Sequence, residues 1–265
     1  SVAISNDTIV VGAYGDDDGG NDSGSAYVFV RSGTTWSEEQ KLTASDAALF
    51  DYFGFSVAIS DDTAVIGAYE EDDGGANSGS AYVFIRNGTV WSEQQKLIAS
   101  DAAVENYFGY SAAISRDTVV VGAYGDDDGG FNSGSAYVFI RNGTTWNEQQ
   151  KLIPSDAGPS DFFGYSVAVS DDTAIFGAVG DNSSSGSAYV FSGCIASAQS
   201  GVWSDTTTWI DGVVPADMDG ACIHPGHTVT LDSTVGVDTL HVWVGGTLDL
   251  TIYDLTAESG VWNYG

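Results

Sequence analysis

Between Gly12 and Phe29 the sequence reads GAYGDDDGGNDSGSAYVF, and four carboxylates, Asp16, Asp17, Asp18 and Asp22, fall within seven residues. Two later stretches copy it: Gly67 to Phe84 carries Glu70, Glu71, Asp72 and Asp73, and Gly122 to Phe139 carries Asp126, Asp127 and Asp128. Like charges this close repel unless water, salt or a cation screens them. Two chemistries fit. Calcium takes about six to eight oxygens from carboxylates, carbonyls and water, and the neighbouring glycines let carbonyls turn inward. Alternatively, a solvated acidic face keeps a salt-exposed protein soluble. A transition metal suits neither stretch, because residues 1–192 contain no His and no Cys.

The remaining reactive residues sit late in the chain. His224 and His227 form a compact His-Pro-Gly-His pair with His241 further on, but Pro and Gly place the pair across a turn, and no third ligand has zinc-like spacing. Cys194 and Cys222 either close one disulfide, as in an oxidising compartment, or remain two reduced buried thiols. Nucleophile elbows, phosphate loops and Cys–His pairs do not occur in convincing contexts. The segment after residue 192 has no Lys or Arg, which argues against a lyase acting on an anionic sugar. Asn6, Asn21, Asn87, Asn142 and Asn182 lie in N-x-S/T sequons, although Asn-Gly and Asn-Asp are also good turn residues.

Charge bounds the partners. Seven Lys and Arg oppose 37 Asp and Glu, a formal net charge of -30, which excludes nucleic acid and anionic membrane and leaves cations, cationic surfaces or neutral carbohydrate. With 43% hydrophobic residues in 265, the chain can bury one large or two medium cores. Its 34 Gly against 4 Pro, with many Val, Ile, Thr and Tyr, point to short strands and tight turns. No run approaches the roughly 20 apolar residues of a membrane span. The chain opens without Met or a leader and reads as a mature or excised segment. All basic residues precede residue 152 and all His follow residue 220, so two differently built parts are expected.

The acidic stretches belong to a 55-residue repeat: SVAIS at Ser1 and Ser56, SAAIS at Ser111, SVAVS at Ser166. Gly-Ala recurs at Gly12, Gly67, Gly122 and Gly177, Ser-Ala-Tyr-Val-Phe at Ser25, Ser80, Ser135 and Ser187, and Trp at Trp36, Trp91 and Trp146. Lys-Leu recurs at Lys41, Lys96 and Lys151. Such a repeat is one supersecondary unit stacked on copies of itself. Each unit reads as four strands, SVAIS, TAVIGAY, GSAYVFIR and TVWSEQQKL, graded from buried to exposed as in a propeller blade. Asn87-Gly88 and Asn142-Gly143 are expected to form the two-residue turn between the third and fourth strands. Repeated Trp and Tyr are expected to pack between blades rather than stack on sugars.

Phe53-Gly54, Phe108-Gly109 and Phe163-Gly164, each followed by a small-apolar strand and then Gly-Ala, resemble the FG-GAP repeats of integrin-α-like β-propellers. The resemblance implies an extracellular, seven-bladed propeller for adhesion or ligand binding, often with calcium. Two features depart from it. The D-x-D-x-D-G calcium loop of that family joins the first two strands, where this chain has only Ser5-Asn6-Asp7-Thr8 and its equivalents. The first repeat also lacks its Phe-Gly, and the fourth breaks off after Phe191 without a Trp strand, so either further repeats or another subunit must complete the ring.

In a propeller the acidic stretches share a face with the fourth-to-first connections, which carry Asp46 and Asp51, Asp101 and Glu105, and Asp156 and Asp161. The candidate calcium ligands are drawn from both sets. After residue 192 the period stops. Trp203, Trp209, Val214-Pro215, Asp219, Pro225-Gly226 and Gly245-Gly246-Thr247-Leu248 resemble the opening of right-handed β-helix modules on bacterial surface proteins, with short strands as successive rungs or hairpins. The expectation is an all-β chain: antiparallel four-stranded propeller blades over residues 1–192, then a small all-β, β-helix-like module over 193–265. Its expected role is an extracellular or cell-surface structural or adhesion protein, non-catalytic, with calcium as cofactor. Copies of itself, further repeats, glycans or surface proteins are the expected partners, and filaments a natural product. A carbohydrate-binding propeller is the alternative.

Overall fold

A computed structural model describes residues 1–170, 173–181, 185–192, 195–196, 199–204, 206–208, 220–223, 228–230, 235–242, 247–249 and 255–263. The chain divides into two compact units, Ser1–Phe191 and Ser192–Gly265. Nearly all of its regular structure is strand.

The first unit is a row of propeller-like antiparallel blades. Blade 1 is β1 (Val2–Ser5), β2 (Thr8–Ala13), β3 (Ser25–Ser32) and β4 (Thr35–Leu42), hydrogen-bonded in that order. Blade 2 repeats it as β5 (Ser56–Ser60), β6 (Thr63–Ala68), β7 (Ser80–Asn87) and β8 (Val90–Leu97). Blade 3 is β9 (Phe108–Ser115), β10 (Thr118–Ala123), β11 (Ser135–Asn142) and β12 (Thr145–Leu152). Blade 4 has three strands among the described residues, β13 (Phe163–Ser170), β14 (Thr173–Ala178) and β15 (Ser187–Ser192).

Burial follows the sequence pattern. The continuous apolar run of β6 is buried at every position, as a strand covered on both faces must be. The alternating β8 buries Trp91 and Leu97 and leaves Val90 and Ser92 exposed. Each interface between blades is one apolar cluster: Val10, Ala26, Val28 and Leu42 of blade 1 meet Val57, Ile59, Ile66, Tyr82, Phe84 and Trp91 of blade 2. Blades 2 and 3 repeat this, ending on Tyr137, Phe139 and Trp146. Trp91 and Trp146 are each 2% exposed, so these tryptophans do pack between blades.

The Phe-Gly and Gly-Ala motifs have a shared steric cause. A Cβ on Gly67 would lie 1.9 Å from the carbonyl oxygen of Gly109, and one on Gly122 would lie 2.0 Å from that of Gly164. The Gly-Ala glycine of one blade therefore rests directly on the Phe-Gly backbone of the next. Gly109 itself takes φ 91°, a conformation that favours glycine. The Ser56 hydroxyl donates to the Gly109 carbonyl (2.7 Å) and Ser111 to that of Gly164 (2.7 Å), which gives the SVAIS serine its role.

The turn between the third and fourth strands differs from expectation, and their pairing carries a bulge. The third-to-fourth-strand turn is Gly88-Thr89, not Asn87-Gly88: Asn87 pairs with Val90, and of the two loop residues only Gly88 has positive φ (67°). Glycine at the first loop position with the second at negative φ is the type II′ pattern, which matches strand twist as well as the type I′ turn that Asn-Gly suggests. A bulge also interrupts every β3–β4-type pairing, where Val83 pairs with Gln95 but Phe84 with Glu93, leaving Gln94 as the extra residue. Glu39 and Gln149 are extra in the same way.

In the second unit, β16 (Ile195–Ala196), β18 (Gly220–Ile223), β20 (Val235–Val242) and β22 (Leu255–Asn263) form one parallel sheet. A second parallel sheet contains β17 (Gly201–Val202), β19 (Thr228–Thr230) and β21 (Thr247–Asp249). The chain alternates between the two sheets, and neighbouring strands within each sheet run parallel, so they do not pair as hairpins. Trp203 is buried and its backbone N–H donates to the Thr230 carbonyl at 2.9 Å. Cys194, His224 and His227 lie outside the described residues, as do the side chains of Cys222 and His241, and with them the disulfide and histidine readings.

The interface clusters set a mutational contrast. Trp91→Ala is expected to cost about 3–5 kcal/mol in chemical denaturation, because it empties a packed interface. Trp36→Ala, at a side chain 37% exposed, is expected to cost under about 1 kcal/mol.

Candidate functional site

The acidic stretches join β2 to β3, β6 to β7 and β10 to β11, and each is organised around a lysine from the fourth strand of its own blade. Lys96 Nζ lies 2.7 Å from Asp46 Oδ2, 2.9 Å from Glu71 Oε1 and 2.6 Å from Asp73 Oδ2. Lys151 Nζ meets Asp101 (2.6 Å), Asp126 (2.9 Å) and Asp128 (2.7 Å) in the same way. Lys41 bonds Asp16 at 2.9 Å and also Asp18. Each ammonium also faces a tyrosine ring of the third strand, Tyr27, Tyr82 or Tyr137, at 5.3–5.4 Å from its centre. The Tyr82 hydroxyl donates to Asp46 (2.8 Å) and that of Tyr137 to Asp101 (2.7 Å). Asp46 and Asp101 come from the connection that precedes the blade, so the clusters of blades 2 and 3 tie each blade to the chain entering it.

The expected metal ligands thus have distinct duties. Asp16, Glu71 and Asp126, which occupy the same place in the three stretches, take the lysine and the backbone N–H two residues ahead. Glu71 and Asp126 also accept from the buried hydroxyls of Ser80 (2.6 Å) and Ser135 (2.9 Å). The second acid, Asp17, Asp72 or Asp127, accepts the N–H five residues on and closes its own loop. Asp18, Asp73 and Asp128, two residues further on, bond the lysine. Asp22 accepts from the Asn21 amide. Asp51 and Asp161 hold their connections by accepting Ala48 N–H (2.7 Å) and Gly158 N–H (2.6 Å). In blade 4, Asp156 and Asp181 accept from the Tyr189 hydroxyl at 3.1 and 2.8 Å.

This arrangement decides the fit of a divalent ion. Oxygens of Asp46, Glu71 and Asp73 lie within 4.8 Å of one another, close enough to share one cation. The cation among them is the Lys96 ammonium. Calcium cannot take those oxygens while the lysine holds them, so the residues present do not fit a resident ion at that point. Composition alone missed the lysine, which stands 23 and 25 residues from two of its partners and 50 from the third. The signal that could have found it is one Lys-Leu per repeat in fixed register against the acids.

Electrostatics follow from this geometry. Burial pushes Asp46 and Asp101 up, but hydrogen bonds from the lysine and the tyrosine hydroxyl outweigh it and hold both carboxyls below their usual range. Lys96 and Lys151 are raised, since their carboxylate partners overcome desolvation. Asp51 goes the other way: it is 5% exposed, and desolvation, with Glu71 and Asp46 nearby, raises its carboxyl. Its counterpart in the next repeat is Asn106, whose amide donates to Asp126 at 3.1 Å.

An aromatic tract runs beside these loops. Tyr52 stacks on Tyr69 (5.6 Å), Phe55 contacts Tyr69 (4.4 Å) and Tyr110 (4.8 Å), and Tyr107 stacks on Tyr124 (5.0 Å). Tyr165 continues the tract from Tyr110 at 4.9 Å and is 39% exposed. Its members follow the Gly-Ala motif or flank Phe-Gly, so they recur with the repeat.

Two variants read these clusters. Lys96→Met leaves three carboxylates facing one another and is expected to lower stability by about 2–3 kcal/mol at neutral pH. Because Asp46 and Asp101 are depressed, their contribution is present above an unfolded pKa of about 3.9 and is lost as pH falls through the depressed values. Asp51 is raised, so its contribution is present below about 3.9 and is lost as pH rises through the raised value. Asp51→Asn, which copies Asn106, is therefore expected to stabilise the protein by about 1 kcal/mol at pH 7 and to have no effect below about pH 3.5, measured by denaturant titration at both pH values.

The family model for the FG-GAP repeat matches residues 1–29, 36–84, 91–139 and 146–191. No curated protein matches the chain. The three longer matches each begin at the Trp of a fourth strand and end at the last Phe of a third strand or its equivalent, so the matched unit runs from one blade into the next. With well over half its length covered and its glycine pairs explained by blade contact, the chain belongs to the FG-GAP repeat family.

Proposed function

We propose that this protein is a non-catalytic structural or adhesion scaffold, working at the cell surface or outside the cell, in which lysine takes the place expected of calcium. The observation that carries the reading is the use made of the polar groups. In blades 2 and 3 the acids converge on a lysine, a tyrosine hydroxyl or a serine hydroxyl, and the lysine and tyrosine also hold the connection that enters the blade. Hydrolysis of a glycosidic bond needs two carboxyls facing a substrate, one of them free to give a proton. The lysine clusters tie Asp46, Glu71, Asp73, Asp101, Asp126 and Asp128 into ion pairs, a use that favours a structural role for these acids. The parallel sheets of the second unit support reading it as the opening coils of a β-helix, which suits a rigid, extended module.

A glycan-binding role is the second reading, and the aromatic tract favours it. Half-exposed tyrosine rings stack on sugar faces and their hydroxyls add hydrogen bonds, with no need for positive charge.

Incubation with a polysaccharide panel, read for reducing ends and unsaturated products, is expected to give no turnover. Release of either product overturns the non-catalytic reading, and saturable capture without turnover selects the second. Thermal unfolding in millimolar calcium and in chelator, at matched ionic strength, is expected to give one Tm. A rise of several degrees in calcium would restore the metal reading of the loops.

A further inference from the structure

We propose that two pairs of stacked tyrosines, Tyr52 with Tyr69 and Tyr107 with Tyr124, are sites of oxidative cross-linking, at which a one-electron oxidant driven by hydrogen peroxide joins the two rings of each pair as dityrosine. The bond staples the connection entering blade 2 or blade 3 to the end of that blade's second strand. Such a link goes beyond the scaffold reading, which needs no covalent bond between blade elements.

In each pair the partners stand 17 residues apart, one just before Phe-Gly and one just after Gly-Ala. The fold lays one ring on the other. Tyr107 and Tyr124 are 5.0 Å apart between ring centres with their planes 5° from parallel, and Tyr52 and Tyr69 are 5.6 Å apart at 22°. Tyr52 and Tyr107 reach this place from an uncommon backbone: their φ values are 54° and 57°, in the left-handed region that bulky side chains avoid. Their N–H groups bond the carbonyls of Asp22 and Asn77, both at 3.1 Å, and those of Phe53 and Phe108 bond Ser23 (3.0 Å) and Ser78 (2.9 Å). Backbone held in a sparsely populated region by its surroundings is characteristic of functional positions. A ring fixed against its partner meets it without a diffusional search, which favours coupling of two short-lived radicals.

Each phenol gives one electron to the oxidant and its hydroxyl proton to a base. The two phenoxyl radicals join through ring carbons ortho to oxygen, and each ortho hydrogen moves to its own oxygen as the rings regain aromaticity. One carbon–carbon bond is made and two ortho carbon–hydrogen bonds are broken, while two protons and two electrons pass to one hydrogen peroxide, which becomes two waters. Burial raises Tyr52, Tyr69, Tyr107 and Tyr124, the last to about 12, so all four phenols stay protonated at neutral pH. Desolvation penalises a charged phenolate but not a neutral phenoxyl radical, so the radical route stays open where a base takes the proton. Glu70 is that base. Its carboxylate faces the Tyr69 hydroxyl and adds to the rise at all four tyrosines. The other repeats have Gly15, Gly125 and Gly180 in its place. Tyr69 and Tyr107 are 6.1 Å apart, so this carboxylate departs from the repeat where the two pairs adjoin.

The rest of the tract supplies the entry. Tyr14 is 49% exposed, and Phe55 lies 5.6 Å from it and 4.4 Å from Tyr69. At the other end Tyr110 lies 4.9 Å from the exposed Tyr165 and 4.5 Å from Tyr124. An electron lost at either exposed ring is thus replaced from a paired ring through one intervening side chain. Competing sinks are few. Residues 1–192 hold neither Cys nor Met, the side chains with the readiest oxidation chemistry. Trp91 and Trp146 are shut between blades, and of the three repeat tryptophans only Trp36 is exposed. Blade 4 has Phe162 and Val179 at the paired positions and forms no such link.

The test is exposure of the intact chain to a haem peroxidase with hydrogen peroxide, then size exclusion and mass spectrometry of proteolytic peptides from the fraction whose mass is unchanged. Linked peptides short of two hydrogen atoms are expected, one joining Tyr52 to Tyr69 and one joining Tyr107 to Tyr124. Tm should rise, because each link closes a loop of the chain. Tyr107→Phe should remove the second link and keep the first. Glu70→Gln should slow the Tyr52–Tyr69 link several-fold while oxidation of Tyr14 proceeds as before, and an unchanged rate overturns the role of Glu70. Absence of both linked peptides, or dityrosine only between molecules, overturns the inference. So do equal yields of the same links from a chain digested before oxidation, since the fold then contributes nothing.

Discussion

Blade spacing in this protein is set by backbone resting on backbone. At Gly67 against Gly109, and Gly122 against Gly164, the approach leaves no room for a methyl group, so the second strand of one blade lies in backbone contact with the first strand of the next, whose Phe-Gly entry is also bridged to the preceding blade. Everything further out inherits that distance. The lysine reaches an aspartate of the preceding connection, the tryptophan fills the wedge between two sheets, and the glutamine spans the gap to clamp it. A single alanine at the glycine contact would push these longer-range partners apart together. The Phe-Gly and Gly-Ala motifs are thus one interaction written in two places of the repeat.

The charge of the chain looks different once the lysines are placed. A net charge of -30 suggests an acidic surface in need of metal, yet the buried part of that charge is locally answered. Lys96 serves three carboxylates, and of these Glu71, the most buried, has also a serine hydroxyl and its own loop's N–H. A lysine is a cation that cannot be removed by a chelator, and it comes with a fixed tether that selects which blade it can join. The cost is rigidity of specification: each cluster works only if the fourth strand is present. A metal ion, free to diffuse in, would have no such requirement, so the choice of lysine couples charge neutralisation to strand completion.

The repeat made the strands legible, because a 55-residue period shows the same apolar pattern several times and averages out local ambiguity. Buried β6 and half-exposed β8 could be told apart by the run of apolar residues in one and the alternation in the other. Features that depend on a single residue's offset were not legible. Asn87-Gly88 is a good turn pair, and only the pairing of Asn87 with Val90 shows that the turn begins one residue later. The bulge that directs Glu39 and Gln94 toward the next blade leaves no mark in hydrophobic spacing, since polar residues stand on both sides of it. The acidic loops were found but their counter-ion was not, as repulsion within a loop is visible locally and its relief comes from a strand read only as a charged edge.

The fourth strand is where these threads meet. It is the outermost strand and carries the polar alternation of an edge, so by composition it should be the most dispensable part of the blade. Its contacts say the opposite: it holds the tryptophan of the interface, the lysine of the cluster and the glutamate that caps the preceding connection. The matched family unit begins at this strand and ends on the third strand of the following sheet, which makes the repeat of sequence straddle two blades of structure. A unit of that kind cannot satisfy itself. Blades 1 and 2 each lend a glutamine clamp to the fourth strand of the blade that follows, so the outermost strand is held by its neighbour as much as by its own sheet.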